Sequence, residues 1–111
     1  MRYGKFSKQP SEEYVIAANF ANNMDIVGGE DLDLPSCTVT AVDSEGTDAT
    51  VTVTDQGTLS KGAGDEQGYL KILIKAGVVA NSPYQLTFLG VTTSTPAETW
   101  EKDIIMTIKE L

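Results

Sequence analysis

Tyr69-Leu70-Lys71-Ile72-Leu73-Ile74-Lys75 is the stretch that decides the fold. Leu70, Ile72 and Ile74 occupy every second position, with Lys71, Leu73 and Lys75 between them, and this alternation is that of a β-strand whose side chains point to opposite faces in turn. The lysines mark the face turned to water. An amphipathic helix would need a longer period.

The same pattern continues on both sides. Downstream, Asn81-Ser82-Pro83 breaks the chain, and Tyr84 to Thr92 sets Tyr84, Leu86 and Phe88 against Gln85, Thr87 and Leu89. The last strand, Trp100 to Lys109, places Trp100, Ile104, Met106 and Ile108 on one face, interrupted by Lys102. Upstream, Ser36 to Val42 puts Cys37, Val39 and Ala41 opposite Thr38, Thr40 and Val42. Asp43-Ser44-Glu45-Gly46 reads as a hairpin turn into a returning strand, Ala49 to Thr54, with Val51 and Val53 on one face. Lys61 to Gly68 is a glycine-rich connection. Glu13 to Phe20 reads as the first strand, although Ala17, Ala18 and Ala21 would also suit a short helix. Met24 to Val27 leads into Gly28-Gly29, a turn open to positive φ.

About seven short strands separated by turns, with no long helical pattern, predict an all-β fold: an immunoglobulin-like antiparallel β-sandwich. A small barrel is the next best fit. The expected organisation is an N-terminal arm over 1–12 and one sandwich domain over 13–111. Tyr84, opening the penultimate strand, matches the corner tyrosine of such sandwiches, and Trp100 is expected as a core or edge anchor.

Composition narrows the function classes. The chain of 111 residues has 16 acidic and 8 basic side chains, a net charge of −8. Phosphate backbones and anionic membrane surfaces should repel it, so no nucleic acid and no membrane partner is expected. No apolar run approaches the roughly 20 residues that span a bilayer, and no signal-peptide pattern follows the basic start, so classical secretion is not expected. Cys37 is the only cysteine, which rules out an internal disulfide and suits a small buried residue. Histidine is absent, removing the commonest general base and a common metal ligand; with no catalytic constellation in view, no enzyme activity is expected.

Acidic loops supply the candidate ligand residues. Calcium takes six to eight oxygens, and Asp31, Asp33, Asp43, Glu45 and Asp48 could contribute if their loops converge at one end of the sandwich. The spacing is not that of an EF-hand, and solvated turns explain the same residues. No other cofactor is expected. Lys5 and Lys8 in the basic arm, with Leu89, Val91 and Ile105 on nominally outward or edge positions, are candidate interface residues for contact between like subunits.

Both ends of the chain resemble one family. Lys8-Gln9-Pro10 with Glu12, then Tyr14-Val15-Ile16 and Asn19-Phe20, is similar to the N-terminal signature of small tailed-phage and prophage virion proteins, including those described as fibre-tail adaptor proteins. Asn19 stands where that family has Asp. Tyr84-Gln85-Leu86-Thr87-Phe88, Val91-Thr92-Thr93-Ser94 and Trp100-Glu101-Lys102-Asp103-Ile104 resemble its last hairpin. Immunoglobulin-like repeats of bacterial adhesins share the Tyr-x-x-x-Phe element, so the N-terminal half distinguishes the two. The resemblance implies a tail- or neck-associated structural protein of a phage or prophage particle, assembling with copies of itself or other virion proteins. It would reside in the virion, and in the bacterial host cytoplasm during assembly. The alternative is an adhesin-type or carbohydrate-binding module, for which the 7% aromatic content leaves few rings to stack on sugars.

Overall fold

Leu70, Ile72 and Ile74 are completely buried, and Lys71, Leu73 and Lys75 between them are half-buried. Burying each of these apolar side chains contributes about 1.5–3 kcal/mol. The computed structural model describes residues 2–76 and 79–110. Among them the chain forms β1 (Arg2–Lys8), β2 (Tyr14–Asn19), β3 (Thr38–Val42), a single-turn helix α1 (Thr50–Val53), β4 (Thr54–Lys61), β5 (Tyr69–Ile74), β6 (Tyr84–Val91) and β7 (Thr99–Ile108).

The strands make two sheets, one ordered β1-β7-β6-β3 and the other β2-β5-β4. This is the immunoglobulin-like sandwich expected from the alternation. Tyr84, Leu86 and Phe88 of β6, Val39 and Ala41 of β3, and Met106 and Ile108 of β7 face Ala18 of β2 and the three β5 residues across one shared core. Phe20, just beyond β2, is completely buried among them. Cys37 is buried, as its apolar context predicts.

One pairing departs from the all-antiparallel expectation: β1 runs parallel to β7, from Arg2 beside Asp103 to Lys8 beside Ile108. The strands β1 and β2 follow each other in sequence but lie in different sheets, so the chain crosses the side of the sandwich between them. Lys8 holds that crossing. It is 3% exposed, and its Nζ donates to the main-chain oxygens of Gln9 at 3.0 Å and Glu12 at 2.7 Å, with that of Pro10 further off at 3.4 Å. Residues 1–12, expected as an arm, therefore contain a sheet strand; Met1 lies outside the described residues.

The returning strand expected at Ala49 to Thr54 is also different. Its first half is α1, and β4 begins only at Thr54. Val and Thr favour strands, but Asp48 wins locally: its Oδ1 accepts from Thr50 N at 3.2 Å and Thr50 Oγ1 at 2.7 Å, turning the chain into a helical turn. Val51 and Val53, placed on one face by the strand reading, separate. Val53 is fully buried and Val51 is 71% exposed.

Candidate docking edge

A two-sheet sandwich has four lateral edges, each a row of main-chain groups able to pair with another strand. On β3 that row is occupied. Gln56 Nε2 donates to Val39 O at 3.0 Å, Ala41 N donates to Thr50 Oγ1 at 2.9 Å, and Ala49 N donates to Ala41 O at 2.8 Å. The β4 edge is bent by a register shift between Asp55 and Ser60, where Asp55 Oδ1 accepts from Gly57 N and Thr58 Oγ1 donates to Asp55 O. Next to β2, Tyr14 meets Phe6 of β1 with ring centroids 6.1 Å apart.

Among the described residues, the main chain of Val15 to Ala18 in β2 makes no hydrogen bond beyond its ladder with β5, and the fourth edge, β1 on β7, is open as well. The β7 strand has 10 residues, whereas β1 pairs with it only from Asp103 to Ile108. Among the described residues, Thr99, Trp100, Glu101 and Lys102 have β6 on one side and no strand on the other. Among the described residues, the main chain of Gly4, Lys5, Phe6 and Ser7 makes no hydrogen bond beyond its ladder with β7. The edge thus offers two consecutive segments for pairing, one on β7 and one on β1.

Charges of both signs line these segments, with Arg2 beside Asp103 where they meet. Beside β7 stand the exposed carboxylates of Glu98 and Glu101; beside β1 stand the exposed ammonium groups of Lys5 and Lys109. Register places Lys5 next to Ile105 and Glu101 next to Leu89, so Lys5 and Glu101 share the outer face of the four-stranded sheet, with Asp103, beside Arg2, on the same face between them. Lys5, Phe6, Ser7, Thr107 and Lys109 line a groove of about 300 Å³ there. A second hollow, about 330 Å³, lies between Val42, Gln85 and Ile105 on the same face. At the step, Trp100 is 36% exposed and sits opposite Gly90. Lys102 leans inward: its Nζ lies 5.5 Å from the centre of the Phe20 ring and donates to Asn19 O.

Of the interface residues read from sequence, Lys5, Leu89 and Ile105 fall on this face, the latter two half-buried. Val91 is half-buried against the core, and its O accepts from Asp33 N at 2.7 Å. Lys8 is committed to the β1–β2 crossing, where burial lowers its pKa against the raising effect of Glu12 and Glu13. Its ammonium is not available to a partner. Glu101 was not singled out by sequence reasoning; only the strand register places it on the same outer face as Lys5.

The calcium candidates do not converge. Asp31 and Asp33 precede β3 and Asp43, Glu45 and Asp48 follow it, so the two groups lie at opposite ends of that strand. Asp31 pairs with Lys61 at 3.0 Å, and Asp33 accepts from Ser36 Oγ at 2.9 Å. Asp43 Oδ1 caps the turn through Glu45 N and Thr47 N, at 2.9 and 3.0 Å. Thr50 holds the Asp48 carboxyl below its ordinary pKa through side-chain and main-chain hydrogen bonds. Among the described residues, no three Asp, Glu, Cys or His side chains are grouped to hold a metal ion.

Among the described residues no helix is long and apolar enough to cross a membrane. Compared with protein-family models, curated proteins and solved structures, the chain finds no match in any of the three.

Proposed function

We propose that this chain is a structural component of a phage or prophage particle, associated with the tail or neck, whose work is to dock onto copies of itself or other virion proteins. The observation that carries this reading is the β7–β1 edge, where among the described residues the main chain of Gly4 to Ser7 pairs only with β7, in a protein that blocks or bends its β3 and β4 edges. Strand addition to such an edge supplies main-chain hydrogen bonds, while flanking side chains select the partner. The likeness of both chain ends to small virion proteins supports the same reading.

The protein is then a building block of the virion, made in the host cytoplasm and incorporated during assembly. Mass spectrometry of particles purified from the source culture tests this. Peptides of the chain recovered at a fixed ratio to other particle proteins are expected; their absence from otherwise complete particles overturns the proposal.

The partly exposed ring of Trp100 favours the second reading, an adhesin-type or carbohydrate-binding module. A glycan array in which Trp100→Ala abolishes a signal given by the native chain would establish it instead.

A further inference from the structure

We propose that the groove beside Lys5 and Lys109 is a binding site for an oxyanion, a phosphate or sulfate group. It lies on the outer face of the four-stranded sheet, whereas the docking reading concerns the rim of that sheet, so the two stand or fall separately.

Strand register builds the site. Ser7 of β1 stands beside Thr107 of β7, and alternation puts Lys5, two residues before Ser7, and Lys109, two residues after Thr107, on the same face. Because β1 and β7 run parallel, the two lysines flank the hydroxyl pair from opposite ends. Two residues of strand span about 7 Å, which brings both ammonium groups within reach of an anion seated over Ser7 and Thr107. Among the described residues, the groove of about 300 Å³ is lined by Lys5, Phe6, Ser7, Thr107 and Lys109, with no carboxylate. Glu110 follows Lys109 in sequence but does not line it. Asp103, further along the face, stands beside Arg2 and accepts from Thr87 Oγ1 at 3.0 Å.

The donors in the groove are free. Lys8, Lys61, Lys71 and Lys102 each donate to an oxygen of the protein. Among the described residues, the ammonium groups of Lys5 and Lys109 and the hydroxyls of Ser7 and Thr107 have no such partner. A chain of net charge −8 thus keeps two ammonium groups and two hydroxyls unengaged around one hollow. Phosphate and sulfate match this set, because each carries its charge on several strong acceptor oxygens within one small group. A groove of about 300 Å³ is at the lower end for small-molecule sites, with room for a sugar ring bearing the anion as well as for the free ion.

Amide NMR on the full chain, titrated with sodium phosphate against sodium chloride at matched ionic strength, tests the site. Phosphate should give saturating shifts at Lys5, Ser7 and Thr107 that chloride does not. Lys5→Gln and Lys109→Gln should each weaken phosphate binding about tenfold, the loss of one charged hydrogen bond. Lys71→Gln, the same change of charge on the other sheet, should leave it unaltered. Ser7→Ala changes no charge and should weaken binding by a smaller factor. Glucose phosphate distinguishes the sources of the anion: tighter binding than inorganic phosphate assigns the groove to a phosphorylated sugar, and equal or weaker binding assigns it to the free ion. Shifts that never saturate, that chloride reproduces, or that Lys71→Gln reduces as much as Lys5→Gln would overturn the proposal. The docking reading, decided by recovery from particles, would be untouched by that result.

Discussion

Gly90 of β6 lies directly against the ring of Phe20: a Cβ at position 90 would sit 3.0 Å from ring atoms Cδ2 and Cε2. The contact ties the two sheets together at the end where the docking edge is stepped, because Gly90 also pairs with Trp100. Phe20 is completely buried. Gly90→Ala should therefore destabilise the fold by about 1–3 kcal/mol through overpacking. Urea unfolding reads this directly, and an unchanged midpoint would show that the ring yields.

Replacing Lys8 should expose the cost of the chain crossing. Lys8→Met keeps the apolar stem but removes the donor to Gln9, Pro10 and Glu12, and should cost about 1–3 kcal/mol. The pH dependence has a defined sign. Burial depresses the folded pKa of Lys8 below its ordinary 10.5, so its favourable linkage is fully present above 10.5 and is lost as pH falls through the folded value. The native chain should gain on Lys8→Met as pH rises towards 10.5, in paired denaturation curves. Taking the difference cancels Cys37 and Tyr14, whose raised pKa values act in the opposite direction.

Cys37 should be silent until the protein unfolds. Its sulfur accepts from Val91 N at 3.3 Å and lies 3.4 Å from Asp33 O, and burial pushes the thiol pKa up, with Asp33 adding to the shift while Val91 and Lys61 oppose it. Since the thiolate is the reactive form, alkylation at neutral pH should follow global unfolding. Rapid labelling of the native protein would contradict this.

Gln56→Ala should open the β3 edge. The variant loses the bonds to Val39 O at 3.0 Å and Thr54 Oγ1 at 2.8 Å, costing about 1 kcal/mol. Unpaired groups on β3 should also raise its tendency to self-associate at a second site. Light scattering against the native chain checks this; equal scattering would mean that Thr50 and Ala49 suffice to block the edge.

Strict alternation made the sandwich legible from residues alone. In β5 and β6 each inner position is apolar, and no helical period competes. The β1 strand was not legible, because Gly4, Lys5 and Ser7 supply no alternation and the inner position 8 is filled by a lysine whose charge satisfies main-chain oxygens. The α1 turn was hidden behind residues with high strand propensity, outweighed by two hydrogen bonds from Thr50 to Asp48. Lys5 and Ile105 could be found as outward-facing residues. Their relation to Glu98 and Glu101 depends on how far β1 extends along β7, a register that no local pattern encodes.

The central claim is that the chain works inside a particle with its β7–β1 edge covered, and lysine footprinting of intact particles against the free, diluted chain tests it most directly. Lys5 and Lys109 should lose amine reactivity on incorporation, while Lys61, on β4 at an edge of the other sheet, keeps its own. Equal reactivity of Lys5 and Lys109 in both states, or failure to find the chain in the particles at all, would contradict the account.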